Sequence, residues 1–400
     1  MAATLQETPS GNRLHIGIFG RTNSGKSAFI NAFSGQKVSI VADVKGTTTD
    51  PVYKAMEIYP LGPCVLIDTA GFDDEGELGQ LRMEKTALAA QKTELAVILF
   101  SDTEMGEELE WFSSFKKRNI PVIPVISKGD LRSKEEIGQL KEQVQEHTGE
   151  SACVVSAATG EGMSELKSIL ARSIPEGFGS RTITGNLVSP GELVMLVMPQ
   201  DIQAPKGRLI LPQVQTLREL LDKKCQVICT TTDQFVAALK RLAEPPKLII
   251  TDSQVFDYVY QQKPKTSLLT SFSVLFADYK GDLEYYVKSA KKIDELRPDS
   301  RVLIAECCTH APLKEDIGRE KIPAMLRRRY GGGLQVEVVS GTDFPEELTR
   351  YDLIIQCGAC MFNRKYVLYR IERAKAQGVP MTNYGVAIAH IKGILDKIVL

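Results

Sequence analysis

No run of apolar residues in this sequence approaches the roughly 20 needed to cross a bilayer. The opening segment, MAATLQETPSGNR, has no apolar core of the kind that directs export. No membrane span is expected, and the expected location is the cytoplasm. Neither sign of charge dominates: 49 Lys and Arg stand against 50 Asp and Glu, a net charge of -1. That balance gives no general attraction to nucleic acid or an anionic membrane, and no nucleic-acid partner is expected. The strongest basic run, Arg327-Arg328-Arg329, precedes Tyr330 and the glycines Gly331 to Gly333, and reads as cations on the last turn of a helix. Cysteine is also scarce, with eight in 400 residues. In a chain expected to stay in a reducing compartment this argues against a disulfide framework, and makes any clustering of thiols informative.

What is present is ordinary globular composition, 43% hydrophobic and 25% charged, with length for two or three domains. From Leu14 to about Ile174 the apolar runs LHIGIF, CVLIDT, LAVILF, VIPVIS and CVVSA alternate with helix-like segments, the rhythm of a doubly wound α/β sheet. PEGFGSRTITGN then reads as a linker. Between Glu192 and about Pro264 a strand-helix-strand-helix-strand pattern predicts a small parallel sheet. The last third, with RVLIAEC, LQVEVVS and YDLIIQC, predicts another.

GRTNSGKS, Gly20 to Ser27, fits a phosphate-binding loop between a strand and a helix. Its backbone (Gly20, Arg21, Thr22, Asn23, Ser24, Gly25, and on to Ala28) is expected to wrap the phosphates. Lys26 would supply a cation and Ser27 a hydroxyl to Mg²⁺. In DTAG, Asp68 is placed to hold a magnesium-bound water and the Gly71 amide to sense the γ-phosphate. Upstream, KGTTTD offers Thr48, with Thr47 as its close competitor, as the switch hydroxyl reaching Mg²⁺. SKGD, Ser127 to Asp130, chooses the base: a carboxylate at Asp130 accepts both N1-H and 2-amino hydrogens of guanine, and adenine offers neither. Lys128 would lie along the base, and Ser156-Ala157 would meet the guanine oxygen. The expected ligand is GTP.

These motifs resemble the Ras-like GTPases, in particular the branch with the tRNA-modification and ribosome-assembly enzymes. That family usually has asparagine where this chain has Ser127, and the shorter side chain is expected to brace the loop less well, giving modest affinity. Asn23 matches the asparagine that helps hold K⁺ in potassium-activated members. Phe72 occupies the position of the water-orienting glutamine, so slow hydrolysis is expected. Lys26, Asn23, Thr48 and Gly71 are the expected catalytic groups.

The thiols cluster in one place. Cys308-Thr309-His310 follows the apolar run RVLIAE, and Cys357-Gly358-Ala359-Cys360 follows YDLIIQ, with 48 residues between Cys308 and Cys357. Adjacent parallel strands would deliver both to one sheet edge. Buried structural thiols, a Cys₃His zinc site (Cys308, His310, Cys357, Cys360) and a three-thiolate iron-sulfur cluster all remain open on the residues alone. Cys307 is expected to point into the core, and Cys64, Cys153, Cys225 and Cys229 read as core residues.

Taken whole, the chain resembles the FeFe-hydrogenase maturation GTPases, the HydF family. The resemblance implies three parts: a GTPase domain over residues 1–174, a dimerisation domain over 187–264 and an iron-sulfur domain over 265–400. It implies a 4Fe-4S cluster on Cys308, Cys357 and Cys360, with His310 or Glu315 as candidates for the fourth iron, since Gln356 stands where members often carry histidine. It further implies a homodimer that holds a transient di-iron precursor, receives it from radical-SAM maturases and passes it to apo FeFe-hydrogenase. The alternative is a tRNA-modification or ribosome-assembly GTPase with a zinc-stabilised tail.

Overall fold

The structure is a computed structural model that describes residues 8–35, 51–71, 77–199, 209–307 and 316–399. The chain divides into two compact units between Phe178 and Gly179, inside the segment expected to be a linker.

The N-terminal unit is built on six strands: β1 (Leu14–Phe19), β2 (Val52–Ile58), β3 (Gly62–Asp68), β4 (Leu95–Phe100), β5 (Val122–Ile126) and β6 (Cys153–Val154). They lie in the order β2-β3-β1-β4-β5-β6, all parallel except β2, which runs antiparallel to β3. Every residue of β1 and of β4 is buried, as expected of parallel strands covered on both faces. β2 lies outside the five apolar runs read as strands. Its residues alternate between partly buried and exposed, the mark of an edge strand with one wet face. Since β1 lies between β3 and β4, the chain reverses its direction of winding there, and the carboxyl end of β1 opens onto a crevice.

The C-terminal unit carries two four-stranded parallel sheets. The first comprises β7 (Leu193–Val197), β8 (Gln226–Thr230), β9 (Leu248–Thr251) and β10 (Leu268–Ser271), in the order β10-β9-β7-β8. The run LLTS, grouped by sequence with the last third, thus belongs to this sheet. The second comprises β11 (Arg301–Ala305), β12 (Gln335–Val339), β13 (Leu353–Gln356) and β14 (Met381–Asn383), in the order β12-β11-β13-β14. One apolar core serves both sheets, joining Met195, Val197 and Ile249 to Leu303, Ile304 and Ile355. The chain's far end is tied to the first sheet as well: the Val399 amide donates to Leu269 O at 2.9 Å, and Thr270 Oγ1 donates to Val399 O at the same distance.

Arg327, Arg328 and Arg329 occupy the last turn of the helix Ile322–Tyr330. Cys64, Cys153 and Cys225 are buried, but Cys229 is exposed. The core reading of Cys229 is corrected for a simple reason: β8 is an edge strand with little packed on its face.

Candidate functional sites

The phosphate loop runs from the end of β1 into the helix Lys26–Ser34. Gly25 has φ 92°, a left-handed value that a side chain would strain, and Asn23 adopts φ 63°. Lys26 folds back over the loop, where its Nζ donates to Gly20 O and Arg21 O, each at 2.7 Å. Ser27 Oγ donates to Asp68 Oδ2 at 3.1 Å, bringing both expected magnesium groups together. Burial raises the Asp68 carboxyl above its ordinary range, while the Ser27 hydrogen bond and Lys26 oppose the shift. Gly71 sits so close to the phosphate loop that a Cβ would collide with the Thr22 side chain and backbone.

Arg21 turns its guanidinium away to carboxylates, 3.2 Å from Glu108 and 3.5 Å from Asp102, and offers the loop its carbonyl. Ser127 is buried at the end of β5, and its Oγ donates to Ser24 O at 2.8 Å. Serine is shorter than the family's asparagine, from which a weaker brace is expected, and it makes this contact with the loop nonetheless. Gly129 N donates to Val155 O at 3.0 Å, which draws the segment carrying Lys128 and Asp130 against the one carrying Ser156 and Ala157. Between Asn23 and Lys128 lies a cleft of about 320 Å³, walled by Asp102, Arg132 and Glu136. Thr47, Thr48 and Phe72 lie outside the described residues.

In the C-terminal unit β11 lies between β12 and β13, so the winding reverses there and the carboxyl ends of β11 and β13 flank a crevice. Ala305 and Gln356 are paired in register, and Glu306-Cys307 and Cys357 are the first residues beyond the sheet. The Cys307 amide donates to Cys357 Sγ at 3.1 Å. Cys307 is 3% exposed and lies within the core, while Cys357 and Cys360 are half-buried. A hydrogen bond from the Cys307 thiol, reinforced by the Ala359 and Cys307 amides, holds the Cys357 thiol below its ordinary range against the effect of burial. Burial, with that same bond, pushes the Cys307 thiol up. Ala359 takes φ 51°, turning the chain tightly between Cys357 and Cys360.

Cys308, His310 and Glu315 lie outside the described residues. Among the described residues no three His, Cys, Asp or Glu side chains gather as a metal centre. The donors that are described nonetheless suit a thiolate-bound group. Gln356 Oε1 and Tyr384 Oη are buried beside the cysteines without hydrogen-bond partners among the described residues, and Glu306 is fixed by Arg319 at 2.9 Å. Sequence reasoning missed Tyr384, Arg319 and the buried Arg370. The one signal for Arg370 is a charge on the apolar stripe of its helix, with Tyr366, Val367, Ile371 and Ala374.

Three family models match: a 50S ribosome-binding GTPase over residues 15–128, a hydrogen maturase F dimerization domain over 183–281, and a hydrogen maturase F tetramerization domain over 284–400. GTPase Der of Wolinella succinogenes is 35% identical over 143 residues, 33% of this chain and 28% of that protein. The tRNA modification GTPase MnmE of Nitrosomonas eutropha is 31% identical over 176 residues, 42% of this chain and 38% of that one. The chain thus spans only about a third of the length of these curated relatives. Among solved structures, Era in complex with MgGDPNP and nucleotides 1506–1542 of 16S ribosomal RNA matches at a TM-score of 0.37 and 18% identity, covering 55% of this chain and 93% of that one. With a GTPase domain followed by both self-association domains of hydrogen maturase F, which together take up more than half of its length, the chain belongs to the hydrogen maturase F family.

Proposed function

We propose that the protein is a GTP-hydrolysing iron-sulfur scaffold that carries a di-iron precursor to apo FeFe-hydrogenase. One observation carries the scaffold half: Cys357 and the segment leading to Cys308 leave adjacent parallel strands where the sheet's winding reverses, the place where open α/β sheets bind ligands. Cys308, Cys357 and Cys360 would hold a 4Fe-4S cluster, with His310 or Glu315 toward the fourth iron. Such a cluster would leave one iron without a thiolate, an exchangeable position open to a ligand from the chain or from the cargo.

In the N-terminal unit, Lys26 and the loop amides from Gly20 to Ala28 bind the phosphates of GTP. Ser27 and Asp68, joined by Thr48, hold Mg²⁺. Asp130 reads guanine, with Lys128 and Ser156-Ala157 around the base. Hydrolysis is slow because Phe72 offers no amide to orient water, and Asn23 recruits K⁺ in place of an arginine finger. The dimerization and tetramerization matches support self-association beyond the expected homodimer. Radical-SAM maturases load the cargo, in the cytoplasm. The test is anaerobic purification followed by iron, sulfide and zinc analysis. About four irons per chain with a broad visible band are expected. Colourless protein holding stoichiometric zinc overturns the scaffold and favours the ribosome-assembly or tRNA-modification alternative.

A further inference from the structure

Arg370 lies in the middle of the helix Arg364–Ala376 with 0% of its surface exposed. A guanidinium is a permanent cation, and burying one costs several kcal/mol unless an anion or a full set of acceptors replaces water. No carboxylate pairs with Arg370 among the described residues. What surrounds it is aromatic and neutral. The guanidinium carbon sits 4.8, 5.2 and 5.0 Å from the ring centres of Phe344, Phe362 and Tyr366. One Nη donates to Gly341 O at 2.5 Å and the Tyr366 hydroxyl also lies within hydrogen-bonding reach, while Nε has no hydrogen-bond partner among the described residues. Stacking on ring faces recovers part of the desolvation cost, about 2 kcal/mol for a desolvated cation, and leaves the rest uncompensated.

A further contact, none of these neighbours being charged, leads toward the cysteine site. Arg370 Nη1 points at Cys307 Sγ, 3.7 Å away. The Cys307 amide donates in turn to Cys357 Sγ. A path of hydrogen bonds therefore runs from the buried cation, through a cysteine outside the three-thiolate set, to a cysteine within it. A cluster held by three thiolates is net negative, and one-electron reduction adds a further negative charge. The cage faces the one place in this unit where the proposed function puts an anion.

Resting on that proposed function, we infer that Arg370 is the built-in countercharge of the cluster, acting through Cys307 as a positioning residue for Cys357 and favouring the reduced state. The aromatic cage keeps the cation dry and fixed, so its field on the sulfurs is little screened. This also gives Cys307 a role other than ligation: it presents its sulfur to Arg370 and its amide and thiol to Cys357.

The test compares wild type, Arg370→Met, Arg370→Lys and Cys307→Ala after anaerobic loading with iron and sulfide. It reads iron content, the reduction potential by EPR-monitored titration, and melting temperature with and without the cluster. Arg370→Met removes the charge with similar volume. It is expected to lower the potential so that the reduced-to-oxidised ratio at fixed ambient potential falls about tenfold, 59 mV for one electron. Its metal-free form is expected to melt no lower than wild type, since an uncompensated buried charge is gone, and loading should raise its melting temperature less. Arg370→Lys, which keeps the charge, should lie closer to wild type. Cys307→Ala should keep its iron and shift the potential in the same direction as Arg370→Met. This variant decides the matter if Arg370→Met does not fold. Unchanged potentials in variants that carry a full cluster overturn the countercharge and leave the scaffold standing. A wild type that takes up no iron overturns the scaffold reading itself.

Discussion

Ser127 Oγ donates a 2.8 Å hydrogen bond to the carbonyl oxygen of Ser24, tying the segment proposed to read the base to the loop proposed to hold the phosphates. Both residues are buried, so water cannot readily replace the bond. A buried neutral hydrogen bond contributes about 1 kcal/mol, and leaving its acceptor unmet costs about as much again. Ser127→Ala is therefore expected to weaken GTP binding about five- to thirtyfold, measured with a fluorescent GTP analogue. Ser127→Asn should bind within about threefold of wild type, since it restores the family's amide. An alanine variant with undiminished affinity would return the brace to the minor role expected from sequence.

Asp130 sits in a short turn, Gly129–Leu131, held by the Gly129 amide on Val155 O. Asp130→Asn replaces a double acceptor by a side chain that can also donate, matching a base whose 2-substituent is an oxygen. The preference in a competition assay should pass from GTP to xanthosine triphosphate. Retained preference for GTP would assign the base reading elsewhere.

Asn23 is held at φ 63° in the phosphate loop, beside Thr22 and the cleft that leads to Lys128. If its amide helps to hold a monovalent cation against the phosphates, turnover should rise severalfold when Na⁺ is exchanged for K⁺ at constant ionic strength. Asn23→Ala should abolish that difference while leaving the Na⁺ rate near wild type. Equal rates in both salts for the wild type would reduce Asn23 to a turn residue.

Lys26 and Cys357 lie in different compact units, and their variants should fail in opposite ways. Lys26→Ala removes the cation that the loop already cradles through Gly20 O and Arg21 O; GTP hydrolysis should be lost while iron content is unchanged. Cys357→Ser should lose iron, since two thiolates rarely hold four irons, and hydrolyse GTP within about twofold of wild type. Both should fail in a complete hydrogenase maturation mixture. An iron-free Cys357→Ser protein that still matures hydrogenase normally would sink the scaffold.

Sequence reveals the phosphate loop because its chemistry depends on residue types at fixed spacing, and Gly25 must be glycine whatever surrounds it. Runs such as LAVILF, which alternate with helices, reveal the parallel strands for a similar reason: burial on both faces demands unbroken apolar residues. β2 is harder to see, since an edge strand alternates and VYKAMEI looks half polar. The reach of Ser127 depends on how near two separate segments approach, which no local pattern encodes. Arg370 is hidden by a sound rule, that charges on helices face water, and only its place on the apolar stripe contradicts it. Cys229 misleads in the opposite sense, because an apolar run on an edge strand can leave one face bare.

The two family domains that end the chain meet on the sequence between residues 281 and 284, but the folded unit has no seam there. Met195 and Ile249 share their core with Leu303 and Ile355, and the strand at Leu269 takes its last partner from Val399. A fragment beginning at residue 284 would carry a raw apolar face and a stranded amide at its tail. For anyone dissecting this protein, the usable cut lies at the segment around Phe178 and Gly179, and the two halves of the C-terminal unit are best inherited together.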